Sequence, residues 1–278
     1  MISKPIVVGH DGSESAARAT GWAAREATRR GTDLVVVRAC PPPQADVPHL
    51  VPLPKSFDQA LVAQCRAELK AAGEAVTGVE VTTVFTRLTP VRTLVEQSAT
   101  AQLLVLGSRG TGGVTGMVVG STAMALAAHG RCPVAVVRSG TPTDGPVVLG
   151  VHESTSEEAI EFAFDAARSR DVPLLAVHTW RNRVVVIGTD TDAMVAAGRE
   201  LLGRRLNGWQ DKYPQVAVQR LLVNDRPGHA LVEQSKHARL LVVGSRGRNT
   251  LTGALLGSTC HALVHHAECP VVIARNFG

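Results

Sequence analysis

The sequence has few aromatic residues and no basic run, and this shortage excludes one class of protein. Aromatic residues make up 3% of the 278 residues, and the 29 Lys and Arg residues are scattered along the chain. Nucleic-acid surfaces need a basic stripe or aromatic platforms for the bases. No nucleic-acid partner is therefore predicted.

Long hydrophobic runs are also missing. No apolar stretch approaches the roughly 20 residues that cross a bilayer, and the first residues lack the apolar core of a signal peptide. We therefore expect a cytoplasmic protein with no membrane partner. The hydrophobic content of 45% and charged content of 19% are those of an ordinary soluble protein.

The five cysteines do not make the even set of a disulfide framework. Cys132 and Cys269 occupy equivalent positions before a Pro-Val pair, which favours small buried apolar groups. The histidines of residues 261–266, with Cys260 beside them, suggest a metal site on a helix. Because no second cluster completes a ligand set, no metal site is predicted.

One motif occurs twice, about half a chain length apart. Gly107–Gly110, followed after nine residues by Gly120–Ser121, returns as Gly244–Gly247 and, again after nine residues, Gly257–Ser258. A glycine-rich turn between a strand and a helix is where main-chain N–H groups converge on phosphate. The repeat therefore predicts two nucleotide sites.

Each half alternates short continuous apolar runs with helix-like segments, the pattern of parallel strands covered on both faces. This predicts an α/β fold of two tandem doubly wound, five-stranded parallel sheets, Rossmann-like, in the order 3-2-1-4-5 and flanked by helices. The strands are expected at residues 5–10, 33–39, 80–86, 103–107 and 133–138, and at residues 146–151, 174–178, 217–223, 240–244 and 270–274.

Residues 1–140 form the first predicted domain and residues 146–278 the second, with a linker at residues 139–146 of turn-forming composition. Ligands of such sheets bind beyond the carboxyl ends of the strands, where the strand order reverses. Two irregular stretches, Pro41–Pro54 and Asn182–Asp192, follow the second strand of each half. They either cover the site or are plain surface loops.

Each motif supplies groups that suit a phosphate chain. Gly107 and Gly110 permit a tight turn and a close approach of the backbone to a ligand. Gly120–Thr122 opens a helix, whose amides and positive dipole end favour an anion. The hydroxyls there add donors, and Arg109 adds a charged one.

Asp11 lies at the carboxyl end of the first strand, within Gly9–Ser13. In the predicted strand order it would face the Gly107 loop across the crevice. A carboxylate there suits an adenine amino group or a ribose hydroxyl. The alternative is that Asp11 or Ser13 only caps the first helix.

These residues together resemble the universal stress protein family in its tandem form. The resemblance rests on the strand with Asp-Gly-Ser, the G-x2-G-x9-G-S spacing and the Cys-Pro-Val strand, and it covers nearly the whole chain. It implies that the spacing binds ATP, with Asp11 and the main chain near Ala39 holding the adenine. The residues implied in the first half are Gly9, Asp11, Ala39, Gly107, Ser108, Arg109, Gly110, Thr111, Gly112, Gly113, Gly120, Ser121 and Thr122.

The second half matches the family less cleanly at the acid. An ungapped alignment puts His152 opposite Asp11, whereas a shifted gap puts Glu153 there, and both stay open. The residues implied in this half are Gly150, His152, Glu153, Thr179, Gly244, Ser245, Arg246, Gly247, Arg248, Asn249, Thr250, Gly257, Ser258 and Thr259.

The sequence contains no Gly-Lys pair, so the phosphate-loop lysine of many nucleotide hydrolases is missing. No catalytic residue is predicted. We expect an ATP-binding regulatory protein, not an enzyme, with a role in stress response or growth control that only the resemblance implies. The alternatives are a slow ATPase or nucleotidyl-transfer enzyme and a structural pair without ligand. Whether Mg²⁺ accompanies ATP stays open.

The final strands, at residues 133–138 and 270–274, are sheet edges in this order, and exposed edges need covering. We expect them to pair with each other in an intrachain pseudo-dimer, as the resemblance implies. Two chains are then expected to associate as a homodimer. A regulatory protein partner is expected, which the sequence cannot name.

Overall fold

The computed structural model describes residues 4–43, 55–110, 119–138, 144–180, 191–245 and 256–274. The chain divides into two compact units, Met1–Val137 and Arg138–Gly278. Residues 139–143 of the predicted linker, and most of the two irregular stretches, lie outside the described residues.

The first unit alternates strands with helices, and all its described strand pairs are parallel. The order in its sheet is the third, second, first, fourth and fifth strand, as predicted. Its elements are β1 (Ile6–Gly9), α1 (Glu14–Arg30), β2 (Leu34–Ala39), α2 (Lys55–Glu74), β3 (Val81–Thr86), α3 (Pro90–Ser98), β4 (Leu103–Gly107), α4 (Ser121–His129) and β5 (Val134–Val137).

The second unit repeats this plan with the order β8-β7-β6-β9-β10, again all parallel. A short helix, α7, precedes β8 and was not predicted. The elements are β6 (Val147–Gly150), α5 (Glu157–Arg168), β7 (Leu174–Trp180), α6 (Thr191–Leu206), α7 (Trp209–Lys212), β8 (Val218–Asn224), α8 (Pro227–Ser235), β9 (Leu240–Gly244), α9 (Ser258–His266) and β10 (Val271–Ala274).

Helices cover both faces of each sheet. Successive residues of a strand point to opposite faces. At the end of β1, a Cβ on Gly9 would point at Leu94 of α3, whereas the His10 ring bonds Thr20 of α1 at 3.1 Å. Helices α1 and α3 therefore lie on opposite faces, which explains why β1 and β4 are continuously apolar and almost completely buried.

The edge strands differ from the central ones. β3 exposes Thr82 and Thr83, and β8 exposes Gln219 and Arg220. Polar residues are tolerated there because only one side of an edge strand is paired. None of the helices in the described part of the chain combines the length and apolarity that crossing a bilayer requires.

All five cysteines are buried free thiols. The prediction that Cys132 and Cys269 pack as small core groups is confirmed, with exposed fractions of 3% and 0%. Burial raises the pKa of each to about 12.

Candidate functional site

The candidate site of the first unit lies at the carboxyl ends of β1 and β4. These strands are neighbours, with Val8 paired to Val105. β1 leads into α1 and β4 leads into the repeated motif, so both connections leave the same edge of the sheet. This is the point at which the strand order reverses and where ligands of such sheets bind.

Asp11 stands between these two connections. Its Oδ1 accepts the Ser13 N–H at 3.0 Å. Its Oδ2 would lie 2.6 Å from a Cβ built on Gly110. The helix cap is Ser13 itself, whose Oγ accepts the Ala16 N–H at 3.1 Å. Asp11 therefore braces the turn before α1 and, as the sequence predicts, faces the Gly107 loop.

Gly107 lies directly against the first turn of α1. A Cβ at this residue would lie 2.6 Å from Ser15 Oγ and 2.7 Å from the Ser15 carbonyl oxygen, closer than any side chain allows. The Arg109 N–H also donates to Ser15 Oγ, at 3.3 Å. The glycine is thus required because helix and loop meet here through their backbones.

The motif leaves and returns at one point. The Gly120 N–H donates to the Ser108 carbonyl at 3.0 Å, and the Ser108 N–H donates to Val137 of β5 at 3.0 Å. The bond between Gly120 and Ser108 brings the start of α4 beside the end of β4. The interior of the motif, with Thr111, Gly112 and Gly113, lies outside the described residues.

Helix α4 begins without a side-chain cap. Its N-cap is Gly120, which offers no acceptor to the first-turn amides, whereas α1 is capped by Ser13. Ser121 is exposed and Thr122 half-buried in that first turn. Unsatisfied first-turn amides, together with the helix dipole, attract an anion.

The second unit has the same frame. β6 and β9 are neighbours that end at Gly150 and Gly244. The Ser245 N–H donates to Ala274 at 2.9 Å, the counterpart of the Ser108 bond. Helix α9 begins after Gly257, again with no side-chain cap.

Of the other predicted residues of this half, the structure describes two and leaves five outside its described ranges. Ser258 and Thr259 lie in the first turn of α9. The predicted residues Arg246, Gly247, Arg248, Asn249 and Thr250 lie outside the described residues.

The two units differ in the connection that leads to the first helix. Three residues separate Gly9 from the N-cap Ser13, but five separate Gly150 from the N-cap Ser156. As a result α5 approaches β9 less closely. A Cβ on Gly244 would make only ordinary contacts, the nearest 3.7 Å from Thr155 Cα.

His152 occupies the place of Asp11. Its Nδ1 accepts the Ser154 N–H at 3.2 Å, the same bond across two residues that Asp11 accepts from Ser13. Since a backbone N–H can only donate, Nδ1 carries no proton in this arrangement. The proton of the neutral ring is then assigned to Nε2, which is a donor.

The Glu153 side chain pairs with a residue of α6. It pairs with Arg204 of α6 at 2.9 Å, with both side chains more than half exposed. Such a pair contributes little to stability. The geometry therefore favours His152 over Glu153 as the counterpart of Asp11.

The second strand of each unit ends beside the site. Ala39 pairs with Thr86, and Thr179 occupies the matching place in β7, paired with Val223. The residue before Ala39 is Arg38, which is buried and donates to the His10 carbonyl at 3.4 Å. At the matching position His178 bonds the Val151 carbonyl at 2.9 Å.

Sequence reasoning missed the charged group behind the first site. Arg38 pairs with Glu68 of α2 at 2.7 Å, and a Cβ on Gly12 would lie 2.5 Å from the Glu68 carboxylate. His10, beside them, has a pKa below its usual value because of burial. No motif signals these residues, since only the fold brings α2 to β1 and β2.

The histidines of α9 form no metal cluster with other ligands. The rings of His261 and His265 stack with their centroids 4.5 Å apart. Within the described ranges, no group of three or more His, Cys, Asp and Glu side chains is arranged to hold a metal ion.

Comparison with known proteins agrees with this architecture. The sequence model of the Universal stress protein family matches residues 3–138 and 145–275. Universal stress protein Rv2005c of Mycobacterium tuberculosis is 40% identical to this chain, and the match covers 99% of each. Universal stress protein Rv2623 of the same organism is 37% identical, over 97% of this chain and 96% of the relative.

The fold is shared with a more distant protein. The crystal structure of a universal stress protein from Archaeoglobus fulgidus matches at a TM-score of 0.70 and 16% identity, over the full length of both chains. The family match extends over both halves of the sequence. The chain therefore belongs to the universal stress protein family, as two copies of its domain in tandem.

Proposed function

We propose that this protein binds ATP in its first unit and acts as a nucleotide-dependent regulator, not as an enzyme. The observation that carries the proposal is the junction of β4 and α4. There an uncapped helix start is held by the Ser108–Gly120 hydrogen bond, next to Asp11 and the end of β1. Backbone amides at such a junction suit a phosphate chain.

The phosphates would lie at the start of α4. The amides and hydroxyls of Ser121 and Thr122 would donate hydrogen bonds to the phosphate oxygens, and Arg109 adds a positive charge at the end of β4. The base would lie toward β1 and β2. There Asp11 accepts from the adenine amino group, and the main chain at Ala39 borders the ring.

We propose that the second unit binds ATP more weakly. Its phosphate side is retained, since α9 also begins after a glycine with no side-chain cap. Its base side differs, because His152 offers a donor where Asp11 offers an acceptor. An amino group facing a donor loses a hydrogen bond.

Regulation would follow from occupancy. A nucleotide that bridges α4 and the end of β1 joins two connections of the sheet and alters the surface at its carboxyl edge. We propose that a cytoplasmic protein partner reads this surface. The intrachain pairing of residues 133–138 with residues 270–274 and the homodimer stay predictions, and light scattering on the purified chain tests the homodimer.

The decisive experiment places an acid at each helix start. Gly120→Asp supplies a cap to α4 and a negative charge where phosphate would bind. The backbone at Gly120 has φ −62°, and a Cβ there meets nothing closer than 3.8 Å, so the side chain fits. Gly257→Asp is the matched change in the second unit, where φ is −59°.

Calorimetric titration of each variant with ATP, ADP and AMP gives affinity and stoichiometry. We expect Gly120→Asp to remove the tighter site while its thermal stability stays equal or rises. Gly257→Asp should leave that site intact. Unchanged ATP binding by Gly120→Asp would refute the proposal. ADP release faster than ~0.1 per second would favour the enzyme alternative.

A further inference from the structure

Two of the cysteines meet in the first unit, behind the candidate site. Cys40 directly follows β2 and is fixed by its N–H bond to Thr86 at 2.9 Å. Cys65 lies on the inner face of α2. Each is 3% exposed and each is a free thiol.

Each sulfur also contacts a guanidinium group. Arg38 Nη2 donates to Cys65 Sγ at 3.3 Å, and Arg87 Nη1 donates to Cys40 Sγ at 3.5 Å. Positive charge beside a sulfur stabilises the thiolate, which is the form that reacts with peroxides. These two contacts are unusual for cysteines that serve only as core filling, because apolar neighbours would suffice for that.

The two thiols are not equivalent. Burial, and then a hydrogen bond with the Cys65 thiol, raise the pKa of Cys40 above its ordinary value. Cys40 is therefore the poorer nucleophile at neutral pH. Cys65, whose sulfur accepts from Arg38, is the better candidate to react first.

The remaining cysteines have other surroundings. Cys132 and Cys269 have pKa values of about 12 through burial. Cys260 Sγ donates to the Gly244 carbonyl at 3.3 Å. These three serve as internal controls for reactivity.

The second unit has no such pair at the matching positions. Trp180 takes the place of Cys40, as the strand registers show. Gly198 takes the place of Cys65, since a Cβ there would lie 3.3 Å from His178, the counterpart of Arg38. The cysteine pair thus belongs to the first unit.

We infer that Cys40 and Cys65 form a reversible disulfide when the protein meets hydrogen peroxide. The Cys65 thiolate attacks one peroxide oxygen, the O–O bond breaks and one water leaves after protonation, giving a sulfenic acid. The Cys40 sulfur then attacks the sulfenic sulfur and expels the second water. Two thiols lose two electrons and two protons, and one peroxide becomes two waters.

The disulfide is coupled to the first site, a step that rests on the proposed function. Cys40 follows Ala39, and Arg38 links Cys65 to the His10 carbonyl beside Asp11. Bonded sulfurs lie ~2.05 Å apart, closer than hydrogen-bonded ones. Forming the bond therefore moves the end of β2 and removes the thiol contact of Arg38. We expect ATP to bind the first site at least threefold more weakly after oxidation.

Peptide mapping tests the disulfide without reference to any nucleotide. The full chain is treated with hydrogen peroxide, free thiols are alkylated, and peptides are compared by mass before and after reduction. We expect one linked peptide pair, joining Cys40 to Cys65, with the other three cysteines alkylated. Cys65→Ser should abolish the link and Cys260→Ser should keep it.

Alkylation of both Cys40 and Cys65 after peroxide treatment would overturn the inference, and so would a link between other cysteines. Calorimetry on Gly257→Asp, reduced and oxidised, then tests the coupling in the first site alone. Equal ATP affinities would overturn the coupling. If neither form binds ATP, the proposed function fails, while the mapping still decides the disulfide.

Discussion

The two units share strand order, motif spacing and an uncapped helix start, yet their first connections differ. The connection from β1 is three residues long and holds an acid, whereas that from β6 is five residues long and holds His152. The sheet does not respond to this change, because both connections lie outside the paired strands. The two helix starts after the fourth strands are thus alike, whereas the connections after the first strands differ.

The largest expected effect is a difference in stability between matched substitutions in the two copies of the motif. Gly107→Ala places a methyl group 2.7 Å from the backbone of Ser15, so α1 or β4 must shift. We expect a loss of about 2–3 kcal/mol in the free energy of unfolding, the cost of overpacking. Gly244→Ala meets only ordinary contacts and should cost less than about 1 kcal/mol.

Urea unfolding of the two variants and the parent chain measures this difference. Equal losses would show that α1 and α5 approach their sheets alike, against the distances described above.

A reciprocal exchange at the first connection sharpens the comparison. Asp11→His should weaken ATP binding in the first site about tenfold, since a hydrogen bond to a charged acceptor is worth about 1.4 kcal/mol or more. His152→Asp should strengthen the second site by a similar factor, because it restores an acceptor at the same place in the turn.

Calorimetry isolates each effect if Asp11→His is combined with Gly257→Asp, and His152→Asp with Gly120→Asp. A second site indifferent to His152→Asp would mean that its base does not lie at this connection.

The smallest expected effect separates His152 from its neighbour. Glu153→Gln breaks the exposed pair with Arg204 and should change the free energy of unfolding by less than about 0.5 kcal/mol. ATP affinity of the second site should not change. A clear loss of affinity would return Glu153 to the role of the missing acid.

The sequence predicted the fold well, since short apolar runs that alternate with helical segments leave little choice of architecture. The run at 103–107 was matched by β4 to the residue. Helix α7 was missed because its four residues carry no periodicity. The sequence predicted the longer connection before α5 only in part. Aligning the two halves could not place the gap, because the N-caps Ser13 and Ser156, which fix the two lengths, were not both known.

Parts of the site lay beyond sequence reasoning. Ser15, Arg38 and Glu68 contact the site from separate elements, with no shared spacing. The cysteine pair was invisible for the same reason, since Cys40 and Cys65 are joined only by the packing of α2 on β2. A sequence pattern shows which face of a helix or strand is buried. It does not show which helix packs against which strand, and the contacts of these residues depend on that packing.

The hydrogen bond between the Ser108 carbonyl and the Gly120 amide makes the repeated motif a closed ring of chain. The conformational entropy of closing this ring is lost when the unit folds, so it does not reduce the free energy of binding a ligand there. Doubling the number of residues in such a ring costs only about 0.6 kcal/mol. An insertion into this ring should therefore cost little stability, provided that Ser108 and Gly120 keep their places.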